Sequence, residues 1–284
     1  MYVGSGDHFD LASCARTCGQ KHFTLAFIIA GKDGQPAWDG TTPVRTGAHA
    51  DQIEALRALG GDVIVSFGGE AGKEMALTIG DPAALAAAYR SIVDRYRFTW
   101  LDFDIEGRAL ERAEANRRRN AALARLQADV PGLRISYTLP VDPDGLSPES
   151  RALLADARRQ GVRVAAVNLM VMDYGPSFSR GKTMYGLGVA SALRAREECR
   201  AIDPSLQVGL TPMIGQNDKA GEVFTQEDAR SLRQWAAGRP WVSLVSFWSI
   251  NRDSGKPGKN SNTSSGVAQA PWAFTRLFQA FERP

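Results

Sequence analysis

Cysteine is scarce in this chain. Three in 284 residues are too few for a disulfide scaffold. Cys14 and Cys18 sit four apart in "FDLASCARTCG" with no second pair to complete a zinc site, and Cys199 is distant in sequence. They read as packing thiols, with a strained local bridge as the alternative. Long apolar runs are also missing: none reaches the roughly 18–20 residues of a membrane span. The N-terminus "MYVGSGDHFD" has no basic segment followed by an apolar stretch, so no signal peptide is visible in this chain. Charge of one sign is lacking as well. Lys and Arg number 34 against 31 Asp and Glu, a net +3, and nothing calls for nucleic acid or an anionic membrane. No Pro/Ser linker divides the sequence. The turn "VGSGDHF" is a poor match to a dinucleotide-binding glycine fingerprint.

What the chain does have is a rhythm. Apolar, β-branched runs recur as "HFTLAFIIA" (22–30), "DVIVSFGG" (62–69), "TWLDFDIE" (99–106), "LRISYTLP" (133–140), "VRVAAVNLMVM" (162–172), "LQVGLTPMIG" (206–215) and "VSLVSFWSI" (242–250). Segments of helical periodicity separate them, and Asp81-Pro82 is a good helix start. "MYV" at 1–3 looks like the tail of one more strand, truncated at the N-terminus, and "PWAFTRLFQAFE" is a closing helix. Eight βα units in one chain predict an α/β fold, a (β/α)8 TIM barrel forming a single domain over 1–284. A doubly wound sheet is the alternative. "DSGKPGKNSNTSSG" (253–266) reads as a surface loop after the last strand.

The stretch "TWLDFDIEG" carries the functional signal. Leu101, Phe103 and Ile105 alternate with Asp102, Asp104 and Glu106, so the three carboxylates share one strand face about 6–7 Å apart. On a half-exposed strand such a face would simply meet water. In a parallel barrel both faces are covered, and the acids belong inside. Buried carboxylates are costly unless paired, hydrogen-bonded or protonated. Chain direction puts Glu106 at the C-terminal rim, where barrel active sites lie, and crowding of like charges raises at least one pKa.

These residues resemble glycoside hydrolase family 18, the chitinases. "LDFDIEG" matches the last three acids of the D-x-x-D-x-D-x-E signature; the leading Asp is absent, position 99 being Thr. "SFGG" (66–69), "MVMDYG" (170–175) and "FWSINRD" (247–253) fall on the expected strands. The likeness spans nearly the whole chain and is closest to bacterial secreted chitinases. It implies a substrate-assisted, retaining reaction on β-1,4-linked N-acetylglucosamine in chitin and its oligosaccharides. Glu106 would be the general acid and base. Asp104 would hold the acetamido N–H and balance the cationic intermediate, and Asp102 would hydrogen-bond Asp104. Tyr174, on one strand face with Met170 and Met172, would contact the acetamido oxygen.

Further positions are weighed alongside these. Trp248 resembles the tryptophan that floors the cleaved-sugar subsite. Met172, Asp173, Met213, Gln216 and Tyr137 are candidate substrate contacts at strand ends. Ser66, Gly68 and Gly69 shape the barrel floor, Trp38 is either a sugar platform or loop packing, and "RRR" at 117–119 is a solvated helix face. The resemblance implies no metal or other cofactor, a secreted location and a monomer. Two rival readings remain: a chitin-binding lectin on the same barrel, and an endo-β-N-acetylglucosaminidase acting on N-glycans. Only "GQNDKAGEVFT" separates the seventh strand from its helix, too short for an inserted α+β domain. An open cleft and endo attack are therefore expected.

Overall fold

The β-branched runs become strands, as their period-two patterning requires. The structure is a computed structural model describing residues 1–4, 9–256 and 258–281. The principal strands are β1 (Tyr2–Gly4), β2 (His22–Ala30), β3 (Asp62–Gly68), β4 (Trp100–Asp104), β5 (Arg134–Asp142), β6 (Val164–Met170), β7 (Gln207–Thr211) and β8 (Val242–Val245). Each pairs in parallel with the next. At the seam between β8 and β1 the Tyr2 N–H donates to the Phe247 carbonyl at 3.2 Å. This strictly sequential order lacks the reversal that defines a doubly wound sheet.

A helix follows each strand: α1 (Leu11–Cys18), α2 (Ala50–Ala58), α3 (Pro82–Tyr96), α4 (Ala113–Asp129), α5 (Pro148–Arg159), α6 (Met184–Ile202), α7 (Gln226–Ala237) and α8 (Ala273–Gln279). Their starts are chemically marked. Asp81 accepts from the Ala83 and Ala84 N–H groups ahead of Pro82, and Thr225 with Asp228 forms a reciprocal capping box. Between β7 and α7 lies only a small hairpin, Gly215–Gln216 against Val223–Phe224.

Register separates the two faces of the sheet. Phe103 aligns with Phe67 and Tyr137, and Asp102 with Ser66 and Ser136. The first set faces the helices: Phe103 stacks on Phe67 at 5.0 Å between ring centroids, with Tyr89 of α3 edge-on at 5.2 Å. Tyr137 belongs to this outer layer. It is fully buried and its hydroxyl donates to Asn120 of α4, so it does not contact substrate as expected.

The outer layer also corrects the reading of 117–119. Residues two apart on a helix diverge by about 200°, and while Arg117 is exposed, Arg119 is fully buried. Its guanidinium meets Glu74 at 2.6 Å and Asn116 at 2.8 Å, and Tyr89 donates to the same carboxylate at 3.0 Å. Trp38 is loop packing: 1 % exposed, its indole N–H donates to the Tyr96 hydroxyl at 3.1 Å. Cys14 and Cys18 are unbridged, with sulfurs 3.3 Å apart.

The Glu74–Arg119 pair generates the first prediction. Arg119→Ala leaves Glu74 buried without a counter-charge and should cost about 3–5 kcal/mol. That cost should appear as a lower urea midpoint at unchanged m-value. The double variant Glu74→Gln/Arg119→Met should recover part of the loss. An unshifted midpoint for the single variant would show the pair to be dispensable.

Candidate active site

Strand β4 delivers its acids to three environments. Asp102 lies deepest and is 2 % exposed. Its carboxylate accepts from Ser136 at 2.6 Å, Ser66 at 2.8 Å, Thr138 at 2.9 Å and Tyr2 at 3.0 Å. Burial pushes its pKa up while these hydroxyls pull it back. The expected hydrogen bond to Asp104 is not made; the hydroxyl cage takes its place. The cage extends through Asn168, which donates to Thr138 at 3.0 Å and accepts from Thr211 at 2.9 Å.

Asp104 is 5 % exposed and turns toward the rim, where its carboxyl group hydrogen-bonds that of Glu106. Burial, then the charges of Glu106 and Asp102, raise its pKa well above the usual carboxylate range. Its Oδ1 is buried without a partner among the described residues. Glu106 stands just past the strand, in extended backbone ahead of the short helix Gly107–Glu111. Burial and the nearby Glu70 charge raise its pKa to about 7, with Asp173 adding to the effect and the Asp104 hydrogen bond opposing it. Two carboxyl groups joined by a hydrogen bond hold a proton between them.

The neighbouring strand allows this approach because Gly68 has no side chain. A Cβ there would lie 2.1 Å from the Asp104 carbonyl, and φ is +102°. The Gly69 N–H donates to that carbonyl at 3.0 Å. This gives "SFGG" its physical reason.

Around the pair opens a cleft of about 540 Å³. Its floor is Trp248, half-buried and stacked on Phe27 at 5.7 Å with 13° between planes, and Tyr2 lies beside it. A parallel backbone bridge joins Met213 to Trp248 and holds that residue beside the end of β7. Met170, Met172, Asp173 and Met213 all line the cleft.

Tyr174 and Gln216 are placed elsewhere. Asp173 adopts a left-handed conformation at φ +56°, which breaks the alternation that would have turned Tyr174 inward. Asp173 itself faces the cleft, held by the Asp218 and Lys219 N–H groups at 2.7 and 3.1 Å. Tyr174 is buried toward α6, where its hydroxyl accepts from Ser191 at 3.3 Å. Gln216 is exposed and packs against Gly266.

Several lining residues escaped the sequence reading: Tyr2, Phe27, Glu70, Asp142, Lys219 and Asn262. Asn262 belongs to the segment expected to be a plain surface loop. Buried Arg252 ties that segment to the β7 end, donating to the Ser261, Ile214 and Gln216 carbonyls. Among the described residues no group of three or more His, Cys, Asp or Glu converges as metal ligands would.

A carboxyl pair and an indole floor share one cleft at the C-terminal ends of parallel strands, the face where (β/α)8 barrels carry their active sites. Comparison with known proteins agrees. The catalytic domain of a hyperthermophilic chitinase from Pyrococcus furiosus superposes with a TM-score of 0.88 at 33 % identity, covering 99 % of this chain and 93 % of that one. Its active-site mutants complexed with chito-oligosaccharides give 0.89. A GH18 chitinase from Pseudoalteromonas aurantia shares the fold at 16 % identity and a TM-score of 0.63. In sequence, a probable bifunctional chitinase/lysozyme of Escherichia coli (strain K12) is 35 % identical over 96 % of this chain, and Endochitinase 11 of Metarhizium anisopliae 35 % over 86 %. The chain spans 33 % and 50 % of those two relatives' lengths. No family model matches. The chain belongs to the chitinase catalytic domains of glycoside hydrolase family 18.

The second prediction concerns the shared proton. The folded pKa of Glu106 is raised from 4.5 to about 7, so its acid form persists to near neutrality. Because the folded state holds this proton more tightly than the unfolded chain, the site's contribution to stability falls as pH rises from about 4.5 to 7. A ¹³C NMR titration of the Glu106 carboxyl should show a midpoint near 7. Glu70→Gln removes a facing negative charge and should lower that midpoint; an unmoved midpoint would show that Glu70 does not act on Glu106.

Proposed function

We propose that this domain hydrolyses β-1,4-N-acetylglucosamine linkages in chitin by a substrate-assisted, retaining reaction. The observation that carries this reading is the Asp104–Glu106 carboxyl pair, in which Asp104 lines the cleft and keeps one buried oxygen unpartnered among the described residues. A buried acceptor without a donor calls for one, and a sugar acetamido N–H supplies it. Glu106, protonated near neutral pH, gives its proton to the glycosidic oxygen as the bond to the anomeric carbon breaks. The acetamido oxygen attacks that carbon and an oxazolinium ion forms. Asp104 balances the positive charge from the N–H side. Glu106, now a carboxylate, takes a proton from water as the water opens the ring, and the β-configuration is restored. The hydroxyls around Asp102 favour its charged form beneath the pair, opposing the burial that raises its pKa. Trp248 offers a flat apolar face to the pyranose.

Endo attack is part of the same reading. Among the described residues, aromatic lining of the cleft is confined to Tyr2, Phe27 and Trp248 at the floor, which offers a sliding polymer little to stack on. The short hairpin after β7 adds no high wall. Action outside the cell and as a monomer suits such a domain. The bifunctional name of the Escherichia coli relative also brings peptidoglycan into view. Glu70, Asp142, Asp173 and Asp218 outnumber Lys219 along the cleft, which opposes a substrate carrying carboxylates.

The tests follow the chemistry. Glu106→Gln should lower kcat on chitin oligomers by at least ~10²–10⁴-fold while oligosaccharide binding persists; more than a tenth of native turnover would remove Glu106 from the acid's role. Asp104→Asn should hurt nearly as much. NMR should show the β-anomer as first product, and an α-anomer would refute retention. Cleavage of N-glycan cores in place of chitin, or binding without cleavage, would also overturn the reading.

Chain attack is read by viscometry. Glycol chitin should lose viscosity steeply at low reducing-end release. Disaccharide release at nearly constant viscosity would refute endo attack.

A further inference from the structure

Three of the chain's six methionines, Met170, Met172 and Met213, line this one cleft. Met170 ends β6, Met172 follows it, and Met213 lies just past β7, so two adjacent strand ends present a wall of thioethers. Met213 is 3 % exposed, while Met170 and Met172 are half-buried. The nearby hydroxyls are already engaged: Tyr2 and Thr138 with Asp102, and Thr211 with Asn168. The Tyr174 hydroxyl is buried against α6 with Ser191. A thioether donates no hydrogen bond, so this wall offers an acyl group contact surface rather than a clamp on its carbonyl.

We infer that Met172, together with Met170 and Met213, sets the specificity for the N-acyl group of the sugar, and that the pocket accepts acyl chains longer than acetyl, N-propionyl first. The inference rests on the proposed reaction, in which Asp104 holds the amide N–H and the acyl chain enters the cavity. Methionine is unbranched, has three rotatable side-chain bonds and is polarizable, so it re-packs around an added methylene. A pocket that keeps its shape penalises one methylene by roughly 10–200-fold. The methionine wall relaxes that penalty.

The experiment compares fully N-acetylated and fully N-propionylated chito-tetraoses. For the native domain, kcat/KM on the propionyl substrate should lie within about fivefold of that on the acetyl one, below the range of a rigid pocket. Met172→Ile introduces a β-branched side chain with a stiff χ1 and should lower the propionyl-to-acetyl ratio by about tenfold or more. The same ratio is measured as Kd by calorimetry on Glu106→Gln, so the acyl preference is read even where turnover is lost. A native penalty above about tenfold, or a ratio that Met172→Ile leaves unchanged, overturns the inference. Absence of turnover on the acetyl tetramer overturns the proposed reaction, and the Kd ratio still decides the pocket.

Discussion

Everything in this site depends on keeping three carboxyl groups of one strand face out of water. Isolated burial of an ionised carboxylate is prohibitive, so the barrel gives each acid a different remedy. Asp102 is hydrogen-bonded by Ser66, Ser136, Thr138 and Tyr2, hydroxyls from three strands standing in for a hydration shell. Asp104 receives no such shell and shares a hydrogen bond with Glu106 instead. The result is a gradient along the strand: at depth an acid whose rise in pKa is held back by hydroxyls, at the rim a pair raised by burial and by neighbouring charges. Hydrogen-bond supply, more than sequence position, decides how strongly burial raises each acid.

Much of this was legible in advance. The strands announced themselves through β-branched runs, and "LDFDIEG" placed its acids correctly because period-two alternation survives up to Asp104. The same rule, applied to "RISYTLP", would have placed Tyr137 with Ile135 and Leu139 on the helix side and Ser136 and Thr138 inside. That signal was present. Tyr174 differs in kind: the left-handed Asp173 resets the alternation, and an Asp before a Tyr does not advertise it. Arg119 was equally hidden, because its burial depends on Glu74, 45 residues away. Tyr2 and Phe27 carry no local signature of a floor; only closure of the strand order brings them beside Trp248.

The placement of Tyr174 bears on the proposed reaction. A phenol at the acetamido oxygen would orient the nucleophile from the acyl side. In the proposed reaction, with that hydroxyl bonded to Ser191 and thioethers lining the cleft, orientation would fall to Asp104 on the N–H side and to the Trp248 floor. A single polar handle plus an apolar socket tolerates variation in the acyl chain and leans more heavily on the charge of Asp104.

Tyr2 links that charge to the fold itself. Its backbone N–H bridges the seam to Phe247, its hydroxyl reaches Asp102, and its ring lies against Trp248. The contact that joins the first strand to the last therefore also fixes the floor and completes the hydroxyl cage. Loosening the seam would withdraw a hydrogen bond from Asp102, raise the cost of its charge and weaken its field on Asp104. The Asp104–Glu106 pair would then hold its proton less tightly, because part of what raises Asp104 is the charge below it. Barrel closure and proton placement are one constraint here, exerted through a single residue.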